Sequence, residues 1–91
     1  MAGSVEISQD QKLRLYRLQT FVDAAYAEMG IRNTGAGRCK VRCDKTALDM
    51  FWVRVHGECT RPEVFAENLR LLCRLTNVEV NGSGKYVKIL I

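Results

Sequence analysis

Long apolar runs, a signal-type start and a paired set of catalytic side chains are all missing from this chain. No stretch approaches the roughly 18 consecutive apolar residues that span a bilayer, so no membrane partner is expected. The opening Met-Ala-Gly-Ser-Val-Glu-Ile has no basic segment followed by an apolar one, as a secretory signal would. The four cysteines are therefore expected as thiols in a reducing, intracellular compartment, cytoplasmic or nuclear. Proline occurs once and 47% of the 91 residues are hydrophobic, which argues against a disordered chain. There is no internal repeat and no low-complexity segment.

Histidine also occurs once. His56 would have to be the acid–base residue alone, and no serine has an evident carboxylate-supported base. Cys59, beside the start of a helix that would lower a thiol pKa, is the conceivable nucleophile, with nothing else in support. No catalytic residue is assigned, and an enzyme is not expected.

Metal and nucleotide motifs fall short in the same way. Cys39, Cys43, His56 and Cys59 have the residue types of a Cys3His zinc site. In an extended strand, though, Cys39 and Cys43 stand about 13 Å apart at roughly 3.3 Å per residue. Zinc–sulfur bonds of about 2.3 Å cannot bridge that gap. Cys39, Cys43 and Cys73 are better read as small core hydrophobes. His56-Gly-Glu58 echoes the His-x-Glu of zinc deaminases, but no Cys-x-x-Cys follows. Gly82-Ser-Gly-Lys85 resembles the tail of a phosphate-binding loop, yet Glu79 stands where its first glycine belongs and Tyr86 replaces Ser or Thr. No metal or cofactor is expected.

What the chain does have is alternation. In Gly37–Asp44, Cys39, Val41 and Cys43 point one way, and Arg38, Lys40 and Arg42 the other. In Asp49–His56, Phe51, Val53 and Val55 form the apolar row opposite Trp52, Arg54 and His56. The two runs predict a hairpin turning near Lys45 to Leu48. Before them, Ser8-Gln-Asp-Gln11 reads as a capping box opening a helix to about Met29, stopped by Gly30. Leu15, Leu18, Val22, Ala25 and Met29 make its apolar stripe, widened by Phe21 and Tyr26. Lys12, Arg14 and Arg17 lie at its start and Asp23 and Glu28 at its end, the reverse of what the helix dipole favours. Such a placement fits contact with an anion. The loop from Ile31 to Gly37 carries turn formers and two glycines.

A second capping box, Thr60-Arg-Pro-Glu63, predicts a helix to about Thr76 with Phe65, Leu69 and Leu72 inward. Val78-Glu-Val80 and Lys85–Ile91 then form a hairpin about Asn81-Gly-Ser-Gly84. Val87, Ile89 and Ile91 are expected inside, with Tyr86, Lys88 and Leu90 outside. Residues 1–7 read as a disordered start or expression remnant, and 8–91 as one α+β domain. The order αββαββ predicts two amphipathic helices packed on one face of a four-stranded, mostly antiparallel sheet, with a winged-helix arrangement as the alternative.

The uncovered face would present Arg38, Lys40, Arg42, Trp52, Arg54, His56, Tyr86 and Lys88, extended by Lys12, Arg14 and Arg17. With a net charge of +4, these residues point to a binding module for nucleic acid, RNA or a single strand. The alternative is an acidic protein surface or a second copy of the chain, met through the same face and the edge of the C-terminal strand.

Overall fold

In a computed structural model, which describes residues 8–91, the elements follow the order read from the sequence. Helix α1 spans Gln9–Glu28, strand β1 Arg42–Cys43, β2 Met50–Arg54, helix α2 Pro62–Leu72, β3 Asn77–Asn81 and β4 Tyr86–Leu90. The strands form one antiparallel sheet in the order β1-β2-β4-β3. This is an α+β fold with two helices on a four-stranded sheet. The winged-helix alternative does not apply, since both helices share one core with one face of the sheet. The expectations for residues 1–7 lie outside the described residues.

Local sequence explains both ends of α1. The Ser8 hydroxyl accepts the Gln11 backbone N–H at 3.2 Å, and the Gln11 side chain accepts the Ser8 N–H at 3.2 Å, completing the capping box. At the other end Gly30 takes φ 75°, a left-handed value that a side chain disfavours. The Ile31 N–H then reaches back to the Tyr26 carbonyl and the Gly30 N–H to that of Ala27, while Ile31 itself buries. Leu18, Val22, Ala25 and Tyr26 are buried as the stripe required.

Helix α2 differs from expectation at both ends. Thr60 does not cap it; Arg61 is the N-cap, with no side-chain bond, and Pro62 is the first helical residue. The proline ring pushes the residue before it out of helical backbone, so Arg61 cannot lie inside the helix. The helix stops at Leu72, four residues early, where Arg74 turns left-handed at φ 57°. Leu72 is exposed, and Phe65, Ala66 and Leu69 carry the contact with the core. α2 runs antiparallel to α1: the Asn68 side chain donates to the Ala25 carbonyl, and Cys73 lies against that of Phe21.

The sheet's inward rows are Cys43, Phe51, Ile89 and Val78, then Val53, Val87 and Val80. Ile91, expected inside, is exposed because the ladder ends at Leu90. β4 lies between β2 and β3, so the C-terminal strand is not an edge and offers no pairing surface to a second chain. That removes the observation on which edge-paired dimerisation rested.

The largest departure is β1. Eight residues were expected to pair with β2, and two do. From Val41 backwards the chain leaves the sheet, and side chains take over the hydrogen bonds of the missing ladder. Asn33 binds both backbone groups of Cys39: its Oδ1 accepts the Cys39 N–H at 2.7 Å and its Nδ2 donates to the Cys39 carbonyl at 2.9 Å. This is the two-bond exchange of an antiparallel residue pair, made by a side-chain amide. Gln19 on α1 donates to the same carbonyl at 3.1 Å and accepts the Val41 N–H at 2.8 Å. On the β2 side, the Tyr26 hydroxyl accepts the His56 N–H at 2.8 Å and stands 3.5 Å from the Arg54 carbonyl. Burial pushes the Tyr26 phenol well above its ordinary pKa, so it remains a protonated hydroxyl there.

Cys39, Val41 and Asn33 are all buried, so these backbone groups have no water to turn to. Replacing Asn33 with Ala orphans the Cys39 N–H, at a cost of roughly 1–3 kcal/mol. Urea denaturation of N33A is expected to show a loss of about 2 kcal/mol. An unchanged midpoint would mean that the amide clasp does not hold this segment.

Candidate ligand-binding basin

Where 38–41 parts from β2, a concavity of about 480 Å³ opens on the uncovered face. Continued pairing would have set Lys40 opposite Arg54 and Cys39 opposite Val55; instead these residues face each other across open space. Arg38, Cys39 and Lys40 line one wall and Arg54, Val55 and Gly57 the other, with Arg42, Trp52 and Tyr86 beside them. The basin is thus a product of the interrupted strand. It leaves no mark in the sequence, because the alternation of 38–43 continues unbroken through the point where pairing stops.

The sheet register aligns its floor. Arg42 pairs with Trp52 and Trp52 with Lys88 across the strands, and Arg54 pairs with Tyr86. Trp52 and Tyr86 are therefore diagonal neighbours, about 7–8 Å apart. Trp52 is half-buried and Tyr86 45% exposed, so both rings present surface on the open face.

The cations are not equivalent. Arg38 is held by Asp23 at 3.0 Å, and that carboxylate also accepts from Asn33 at 2.8 Å and Gln19 at 3.1 Å. Lys88 stands 3.8 Å from Glu79 on β3. Lys40, Arg42 and Arg54 have no carboxylate within salt-bridge distance among the described residues. They are exposed.

Several residues singled out from the sequence are not brought to the basin. His56 was expected on the open face beside Arg54. It is buried, its ring edge-on to Tyr26 with centroids 5.6 Å apart and its Nδ1 accepting the Glu58 N–H at 3.1 Å. The strand ends at Arg54, and the alternation that would have turned His56 outward ends with it. Lys12, Arg14 and Arg17 lie on α1, which covers the opposite face of the sheet, and none lines the basin. Arg14 is 3.5 Å from Asp10, which offsets part of its unfavourable position near the helix start.

The cysteines are placed as packing residues. Burial pushes the Cys39, Cys43 and Cys73 thiols above their ordinary range. Among the described residues no three His, Cys, Asp or Glu side chains stand close enough to share a metal ion. Nor is any helix there long and apolar enough to cross a membrane.

Asp44 is the residue that sequence reasoning missed. Its Oδ1 accepts the Thr46 hydroxyl at 2.7 Å, the Thr46 N–H at 2.8 Å and the Ala47 N–H at 3.2 Å, closing the β1–β2 turn. Its Oδ2 accepts the Trp52 indole N–H at 3.1 Å, fixing the ring at the end of the basin. The Asp-Lys-Thr spacing at 44–46 is the available signal, an Asx-type turn.

Comparison with known proteins gives no relative: no family model, curated protein or solved structure matches the chain.

The bonds to Asp44, led by that from the Thr46 hydroxyl, hold its carboxyl down to about 2, below the ordinary carboxylate range. A carboxylate whose folded pKa is lowered stabilises the fold above its unfolded pKa of about 3.9 and ceases to as pH falls through the folded value. Trp52 emission is therefore expected to hold steady from neutral pH to about 3 and to shift in a step centred near 2, where Asp44 takes up its proton in the folded protein and the indole loses its charged acceptor. Asp44→Ala should abolish that acid step. An identical step in the variant would show that the indole is held by something else.

Proposed function

We propose that this protein is a small non-catalytic module that binds nucleic acid, RNA or a single strand, through the basic, tryptophan-containing face of its sheet. The observation that carries this reading is the convergence of Lys40, Arg42 and Arg54 with Trp52 and Tyr86 around one concavity. Cations give sequence-independent attraction to phosphates, and aromatic faces stack on bases, each stack being worth about 1–3 kcal/mol. The geometry favours single strands. The basin is a local depression in an open sheet, and among the described residues no projecting helix or ribbon stands beside it to enter a duplex groove.

A protein partner on the same face is the second reading. Met50 and Leu90, paired across β2 and β4, lie on that face next to Trp52 and Lys88. Tryptophan, methionine and arginine are enriched in the cores of interfaces. The unmet charge of the basin favours the polyanion.

The test is a titration of Trp52 fluorescence with short single-stranded RNA at two salt concentrations. Quenching is expected, with affinity falling as salt rises. Neutralising three phosphates corresponds to a slope of log affinity on log salt of about −2, from roughly 0.7 per phosphate. Arg42→Glu with Arg54→Glu should weaken binding on all sequences and flatten that slope. Undiminished binding by the double variant would remove the sheet face as the site. A silent tryptophan would favour the protein-partner reading.

A further inference from the structure

We infer that the basin receives the phosphorylated end of a single strand, with the terminal phosphomonoester among Lys40, Arg42 and Arg54 and the terminal base against Trp52. The inference rests on the nucleic-acid reading and narrows it from a track to an end.

Carboxylates bound the basic area on two sides. Asp44 sits against the Trp52 indole at the β1–β2 turn, and Glu79 flanks Lys88 on the β3 side. A chain of phosphodiesters laid across the whole sheet would pass one of these acids on leaving the cations. A strand that ends in the basin passes neither. The remaining side runs by Ala36, Gly37 and Gly57, which line the concavity. Among the described residues no atom lies within 4 Å of the position a side chain would take on either glycine, which leaves room for a chain to approach there.

Charge points the same way. With Arg38 engaged by Asp23, three basin cations stand without a carboxylate partner among the described residues. An interior phosphodiester brings one negative charge. A terminal phosphomonoester brings about 1.5 to 2 at neutral pH, with three strong acceptor oxygens, so an end group and its neighbouring diester together approach three. Arg42 and Arg54 have the planar forks that bind such oxygens in pairs. The volume of about 480 Å³ lies in the lower half of the range of small-molecule sites, which suits one nucleotide better than a run of them.

The experiment compares one short RNA sequence in several forms by Trp52 fluorescence: 5′-phosphorylated, 3′-phosphorylated, hydroxyl at both ends, and circular. A free nucleoside monophosphate is the fifth ligand. One phosphorylated end is expected to bind roughly tenfold more tightly than the hydroxyl-ended strand, and Arg42→Ala should erase most of that advantage. Circular dichroism of Arg42→Ala should match the parent, since Arg42 is exposed and its side chain makes no hydrogen bond or ion pair among the described residues. Equal binding of all four RNA forms would overturn the strand-end inference and leave the nucleic-acid reading intact. A free monophosphate binding as tightly as the phosphorylated strand would overturn the strand as ligand while retaining a phosphomonoester pocket. No Trp52 response to any of the five would overturn both.

Discussion

A buried backbone must find hydrogen-bond partners, and in this fold three side chains supply them where a strand does not. Asn33 exchanges two bonds with Cys39, Gln19 binds the Cys39 carbonyl and the Val41 N–H, and the Tyr26 hydroxyl takes the His56 N–H. These contacts let residues 38–41 lie off the sheet without leaving polar groups orphaned in the core. The separation from β2 is what creates the basin. Were the ladder to continue, Lys40 and Arg54 would stand side by side across a flat surface, and no depression would exist. The same set of bonds also disposes of charge: Asp23, bridged to both amides, is the carboxylate that engages Arg38.

Support and site thus occupy opposite faces of the sheet. Tyr26 is stacked on Phe65 with ring centroids 4.0 Å apart, so the hydroxyl that closes the β2 side is anchored in the contact between the two helices. On the open face, Asp44 performs a comparable task for one aromatic ring, joining a turn to the Trp52 indole. Elements that carry no residue of the basin, α1 above all, therefore set the positions of those that do. The cations at the start of α1 are on the supporting side, and their placement against the helix dipole has no structural counterpart in the basin.

How much of this was legible in the sequence depends on how local each signal is. The Ser8–Gln11 box and the Gly30 stop are written in adjacent residues, and α1 begins and ends where they say. The α+β class follows from periodicity, and the outward row of Arg42, Trp52 and Lys88 follows from alternation. Non-local competition was not legible. Nothing in Gly37–Val41 shows that Asn33 and Gln19 will outbid β2 for its backbone, since an amide side chain carries no mark of what it will bind. His56 was misplaced for a related reason: alternation tells which way a residue points only while the strand lasts. The early end of α2 turns on Arg74 adopting a left-handed backbone, which arginine composition does not announce.

The most direct test of the account is chemical-shift mapping on nitrogen-15-labelled protein as a short single-stranded RNA is added. Perturbations are expected to concentrate on the backbone of 36–42 and 54–57, the Trp52 indole N–H and Tyr86, with the outer face of α1 and the β3 edge unmoved. Shifts confined to α1 or to β3, with the indole resonance in place, would contradict a binding site built by the interrupted strand.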